Sequence, residues 1–201
     1  KRPGIYELPT GLTLRQLLND VGGGPIGGQP FKAVFSGVSN AVILPKAFDT
    51  VMDFGSLRAA GAGLGSGGFM VYDASHCMVK IALMFSSFLA ESSCGQCVPC
   101  KRGCRIITEH LDALEANRGS QEDLDNIFYE SGHCTDQTRC FLPQQESKVI
   151  TSIIQAFPED FKRHAQGQTC PLMRQMVLPK IESFNEDTAS FVYEKKQPVV
   201  L

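Results

Sequence analysis

The sequence predicts an α+β fold in two parts, a small mixed domain over residues 1–73 and a four-helix bundle over residues 74–165, followed by an extended tail over 166–201. Three observations predict it. Short apolar runs broken by glycine and proline fill the first part and read as strands around one helix. Apolar residues recurring with a 3.6-residue period fill the second part and read as packed helices. Within that second part, Cys94, Cys97 and Cys100 fall at i, i+3 and i+6, a spacing that lets three thiolates grip one metal group while the backbone turns around it.

Each element has a local reason. Gly4-Ile-Tyr-Glu-Leu8 is a short strand candidate between Pro3 and Pro9. Thr13 caps a helix whose leucines recur at helical spacing, and Gly22 to Gly24 stop it. Phe31 to Phe35, Ala41 to Leu44 and Gly68 to Tyr72 are further strands, each closed by a turn-former. From Ala74 the period changes. Cys77, Ile81, Met84, Phe85 and Phe88 form an apolar stripe. A second helix starts inside the cysteine run and continues through Ile106, Ile107, His110, Leu111 and Leu114 to near Gly119. Ser120 opens a third with Asp123 as a capping-box variant. Pro143 sits where helices begin, and Val149, Ile150, Ile153, Ile154 and Phe157 supply the fourth apolar face. Pro158 breaks the pattern before Phe161.

Bulk properties narrow the function. The chain has 201 residues, 43% hydrophobic and 20% charged, with a formal net charge of −2. No global basic field attracts nucleic acid or an anionic membrane. The longest apolar run, Ile81 to Phe85, is far too short to span a bilayer. The chain does not begin with Met and opens with no signal-peptide pattern, so it reads as a fragment or a processed start. Of its eight cysteines, four lie between positions 94 and 104. That is too crowded for a disulfide framework and points to metal in a reducing compartment.

Two cysteines compete for the fourth corner. Cys104 gives the C-x₂-C-x₂-C-x₃-C spacing of bacterial ferredoxins, but Arg105 follows where proline is usual, and no second run hosts a second cluster. Cys140 sits in a loop between predicted helices, and a ligand entering there would clamp a [4Fe–4S] cluster into the core. The residues favour Cys140. A zinc site on the same run, completed by His133, Cys134 or Cys140, is the other metal reading. Cys104 and Cys77 read as core residues. Cys134 and Cys170 have no evident partner. Lys101, Arg102 and Arg139 flank the proposed ligands, and cations there would raise a cluster's reduction potential.

Two glycine-rich segments are set aside. Gly63 to Gly68 satisfies G-x-G-x-x-G, yet it precedes a strand instead of opening a helix, so it reads as a tight turn. Gly22 to Gly28 reads as a helix stop and loop. No Ser–His–Asp or paired-carboxylate arrangement argues for a hydrolase.

The run from Pro3 to about His164 resembles the C-terminal part of the NADH-binding flavoprotein subunit of respiratory complex I, a type of subunit also found in NAD-linked hydrogenases and formate dehydrogenases. The resemblance lies in Leu64-Gly-Ser-Gly-Gly68, in Glu91-Ser-Ser-Cys-Gly-Gln-Cys-Val-Pro-Cys100, and in Cys140 followed by Pro143 and Phe157. It implies a β-grasp (ubiquitin-like) domain of the soluble-ligand-binding type, then a helical bundle holding one [4Fe–4S] cluster on Cys94, Cys97, Cys100 and Cys140. It also implies single-electron relay from reduced flavin to partner iron–sulfur subunits. FMN and NAD(H) would bind in an upstream domain or partner chain, so this chain alone should not oxidise NADH. The expected setting is the cytoplasm or the mitochondrial matrix, peripheral on a membrane complex, with other iron–sulfur and flavin subunits as partners. Three departures stand out: Lys101 then Arg102 where the family has arginine directly after the third cysteine, Cys104 itself, and Phe141-Leu-Pro143 in place of a glycine-containing run. The alternative reading is a non-catalytic partner- or ligand-binding β-grasp module with a zinc-stabilised bundle.

Overall fold

Thr13 begins the first helix by a reciprocal cap: its side chain accepts from the Gln16 amide while Gln16 Oε1 accepts from Thr13 N. The structure, a computed structural model, describes residues 1–136, 139–172 and 181–193. Helix α1 (Leu14–Gln16) widens into a π turn over Leu17–Val21, and the Gly22 amide closes it on Leu17 O at 2.8 Å. Strands β1 (Phe31–Phe35) and β2 (Met70–Asp73) pair antiparallel, with Phe35 opposite Met70. Between them lie a 3₁₀ turn, Pro45–Ala47, and α2 (Phe54–Ala59), capped by Asp53. Leu14, Leu18, Val34, Ile43, Phe48 and Leu57 close a small core over these elements.

Two expected strands differ. Gly4 to Leu8 forms no strand; Ile5 is 81% exposed, and Tyr6 folds back to donate to Arg2 O. With a proline at each end and no apolar face to cover, the segment gains nothing by pairing. Ala41 to Leu44 contributes one isolated bridge, Ile43 to Val34.

Among the described residues, five helices follow: α3 (Met78–Ser92), α4 (Val98–Glu115), α5 (Gln121–His133), α6 (Leu142–Ala156) and α7 (Pro158–Ala165). Helix α3 packs on α4 and α6, and α4 on α5. Ser120 and Asp123 make the capping box that starts α5. The break at Pro158 separates α7 as its own helix, which buries Phe161 and His164. Ile81, Phe85 and Cys77 of the α3 stripe are buried, but Phe88 is 56% exposed. Part of the segment expected as an extended tail is folded instead: Cys170 joins the helical core, and β3 (Ile181–Asn185) and β4 (Ser190–Tyr193) form a hairpin. Residues 173–180 and 194–201 of the tail lie outside the described residues.

The two parts share a core. Phe35 of β1 meets Phe85 of α3 edge-on at 4.9 Å and Tyr72 of β2 at 5.9 Å. Lys32 Nζ, largely covered, bonds Asp160 of α7 at 2.7 Å and the His76 carbonyl at 3.0 Å. The Val42 amide donates to Ser152 Oγ of α6. Mixed helix and sheet content of this kind is α+β.

Candidate metal centre

Helix α3 ends at Ser92, and the next turn is built for close quarters. Gly95 takes φ +75°, a conformation cheap only for glycine. Cys97 then caps α4, with Pro99 in its first turn, so Cys100 sits on the opening turn of an 18-residue helix. On the far side, the loop after α5 delivers Asp136, Arg139 and Cys140 just ahead of α6, which also carries proline in its first turn. Cys94, Cys97, Cys100 and Cys140 all line one cavity of about 320 Å³, counting space open to solvent, together with Ser93, Asp136, Arg139, Leu142 and Pro143. Arg139 Nη1 donates to Gln96 Oε1 at 2.6 Å and latches the two loops together.

The thiols differ in surroundings. Cys94 and Cys140 are exposed, Cys97 is half-buried and Cys100 is buried. Ser93 Oγ lies 3.4 Å from Cys100 Sγ. Desolvation holds the Cys97 thiol above its ordinary range; Asp136 adds to this and Arg139 opposes it. The electrostatic frame suits an anion. The N-termini of α4 and α6 both open on the cavity, and the free amides of a helix start carry partial positive charge. Four thiols without disulfide partners therefore face one cavity between two helix starts, the type and number of donors that iron–sulfur clusters take. Lys101 and Arg102 are exposed on α4 and lie outside the cavity lining, whereas Arg139 is part of it.

Cys104, the other candidate for the fourth corner, points elsewhere. It is fully buried and pairs with Cys134, and its thiol is pushed far up, first by that hydrogen bond and then by burial. Cys134 Sγ donates to the Pro143 carbonyl at 3.3 Å. Helices α4 and α5 can approach this closely because residue 103 is glycine: a β-carbon there would lie 2.5 Å from Cys134 Cβ. Next to this pair, Glu146 of α6 is fully buried.

Sequence reasoning gave Cys170 no role and Cys134 only a place among the alternative zinc ligands. Cys134 belongs to the pair just described. Cys170 joins Cys77 and His164 in a buried group whose donor atoms lie within 4.8 Å of one another. His164 Nδ1 lies 2.9 Å from the Leu114 carbonyl, an acceptor only, so Nδ1 carries the hydrogen and the Nε2 lone pair meets Cys77 Sγ at 3.3 Å. These partners are distant in sequence, and the one available signal was the surplus of cysteines over the three-residue run.

Residues 80–164 match the NADH-ubiquinone oxidoreductase-F iron-sulfur binding region. The chain matches the C-terminal part of that family. The matched region is one that holds a [4Fe–4S] cluster. Among the relatives, the F 2 subunit of NADH-quinone oxidoreductase from Rhizobium meliloti (strain 1021) is 36% identical over 172 residues, 85% of this chain and 41% of that protein. The HndC subunit of the NADP-reducing hydrogenase from Solidesulfovibrio fructosivorans is 35% identical over 169 residues, 84% of this chain and 34% of that protein. The chain therefore spans about two fifths or less of these relatives. A solved NAD+-reducing [NiFe]-hydrogenase in its H2-reduced state superimposes with a TM-score of 0.68 at 26% identity, over 85% of this chain and 28% of that one. Its air-oxidized form gives 0.71 at 24% identity, over 83% of this chain and 28% of that one, a likeness of fold. Among the described residues no helix is long and apolar enough to cross a membrane.

Proposed function

We propose that this chain is the electron-relay portion of an NADH-linked oxidoreductase, holding one [4Fe–4S] cluster on Cys94, Cys97, Cys100 and Cys140. One observation carries the reading: these four thiols share one cavity between two helix N-termini, while Cys104 turns away to Cys134. The cluster would supply one-electron redox chemistry. The protein's own part is to hold and tune it. The amides at the starts of α4 and α6 and the Arg139 guanidinium favour added negative charge and so raise the reduction potential, with Lys101 and Arg102 as a more distant cationic surround. Asp136 opposes them.

In this reading residues 1–73 are the β-grasp domain, residues 74–165 the cluster-binding bundle, and residues 166–201 the tail. FMN and NAD(H) belong to an upstream domain or partner chain, because hydride chemistry needs a flavin. The electron leaves to partner iron–sulfur subunits, in a soluble compartment or at the edge of a membrane complex. A zinc-stabilised, non-catalytic module is the second reading. It draws support from the Cys77–His164–Cys170 group, two thiols and a tautomer-fixed imidazole of the kind zinc takes.

The test is low-temperature EPR after reduction, with iron, zinc and acid-labile sulfide assayed on the same samples. Cys140→Ser should abolish or convert the cluster signal, and Cys104→Ser should leave it nearly intact. The opposite pattern would reject the ligand set. Zinc without iron or sulfide in the unmodified chain would reject the relay.

A further inference from the structure

Behind the cysteine-lined cavity runs a polar chain that holding a cluster does not require. Glu146 is fully buried on α6, three residues beyond Pro143 of the cavity wall, hence about 4.5 Å farther along the helix at 1.5 Å per residue. Its Oε1 lies 2.5 Å from Ser86 Oγ on α3. Ser86 Oγ lies 2.7 Å from Thr108 Oγ1 on α4, and Thr108 Oγ1 lies 2.8 Å from the Cys104 carbonyl. Glu146 Oε2 is buried without a partner.

The hydrogens along this chain can be counted. A carbonyl only accepts, and each hydroxyl brings a single hydrogen. With Glu146 as carboxylate, the hydroxyls of Ser86 and Thr108 would have to fill all three contacts, and one short oxygen–oxygen contact would hold no hydrogen. With Glu146 as acid, every contact is filled in one direction: Glu146 donates to Ser86, Ser86 to Thr108, and Thr108 to the Cys104 carbonyl. The acid also leaves a neutral oxygen at the unpartnered Oε2, where a charge in a dry interior would be far more costly.

We propose that Glu146 is the proton partner of the electron relay: it rests as the acid, and its release and recapture of a proton follow the charge at the cysteine-lined cavity. This rests on the relay reading above. The link is one of distance, through which an added charge acts directly: Cys104, beside Glu146, lies about one turn of α4 from Cys100 on the cavity, and Glu146 lies about one turn of α6 from Pro143 of the cavity wall. The titratable groups that face Glu146 are Cys104 from α4 and Cys134 from the C-terminal cap of α5; α3 presents the uncharged Ser86. Burial raises the Glu146 carboxyl to about 8, with Ser86 opposing and Cys134 adding. Wherever the carboxylate is populated, one electron from the external donor adds one negative charge at the cavity. One proton from solvent then forms the Glu146 O–H. Nothing else is made or broken. Thr108, at the half-buried end of the chain, gives that proton a hydroxyl path by way of Ser86.

The sign follows. Below about pH 8 Glu146 keeps its proton in both redox states, and the potential is independent of pH. Above it, the oxidised state loses the proton and reduction recaptures it, so the potential falls with pH. The limiting slope is about 59 mV per unit, one tenfold step for a single electron.

The experiment is an EPR-monitored redox titration of the cluster-loaded chain from about pH 6 to about pH 10, for the wild type and Glu146→Gln. A second arm needs no variant: dye-reported proton uptake on reduction of the wild type at about pH 7 and about pH 9. The expected result is a wild-type potential flat at first and falling above about pH 8, a flat profile in Glu146→Gln, and proton uptake at the higher pH only. A wild-type potential flat throughout, no uptake at about pH 9, or an equal slope in Glu146→Gln overturns the proposal and leaves the relay standing. A wild-type chain that holds no iron or sulfide overturns the relay, and this proposal with it.

Discussion

Glu146→Gln keeps nearly the same shape in the core but removes a proton that folding traps, so the stability of the two proteins should diverge with pH. In the unfolded chain the Glu146 carboxyl titrates at its ordinary 4.5, and in the folded chain burial holds it at about 8. Below 4.5 both states carry the proton and no penalty arises. Between these values the unfolded state releases the proton while the folded state keeps it. The folded state then binds more protons, so wild-type stability falls as pH rises. The gap is about 3.5 pH units, which at 1.36 kcal/mol per unit amounts to about 5 kcal/mol at full extent. At pH 7 about 3 kcal/mol of it is already lost. Glutamine exchanges no proton, so variant stability minus wild-type stability should climb across this window and level off above about pH 8. Denaturant midpoints, recorded anaerobically at matched cluster content, measure the difference at each pH. A difference that stays constant between pH 4.5 and 8, or that falls as pH rises, would refute the buried acid.

Two further substitutions probe the packing. Gly103→Ala puts a β-carbon 2.5 Å from Cys134 Cβ and 2.9 Å from its Cα, so α4 and α5 must separate, at a cost of about 1–3 kcal/mol, read as a lower denaturant midpoint. Phe35→Ala should cost about 3–5 kcal/mol and should lower a single transition seen alike by far-UV circular dichroism and by cluster absorbance, because Phe35 packs on Phe85 across the shared core.

What the sequence made legible was mostly local. The three-cysteine run, the Ser120 capping box and the apolar faces of α4 and α6 depend on residues a few positions apart, and periodicity reads them directly. The capped start and glycine stop of the first helix were legible for the same reason, though not the π turn between them. Gly4 to Leu8 was misread because a strand needs a partner, and no nearby chain offers one. Phe88 fits the helical period yet faces solvent, since periodicity assigns a face without saying how far the neighbouring helices reach. The roles of Cys170 and Glu146, and the pairing of Cys134 with Cys104, were not legible at all. Ser86 and Glu146 are 60 residues apart, and Cys77 and His164 are 87 apart. The sequence prefers Cys140 over Cys104 only indirectly. The geometry adds the reason Cys104 is occupied: it faces Cys134 across Gly103.

Helix α3 behaves as a shaft. It is pinned near mid-length by Phe85 against the sheet, and its far end runs straight into Ser93 and Cys94. Cys140 hangs from a different support, the joint between α5 and α6, latched to the first by Arg139 and Gln96. The small sheet contributes no residue to that cavity, yet the helix it packs on leads directly into one of its corners.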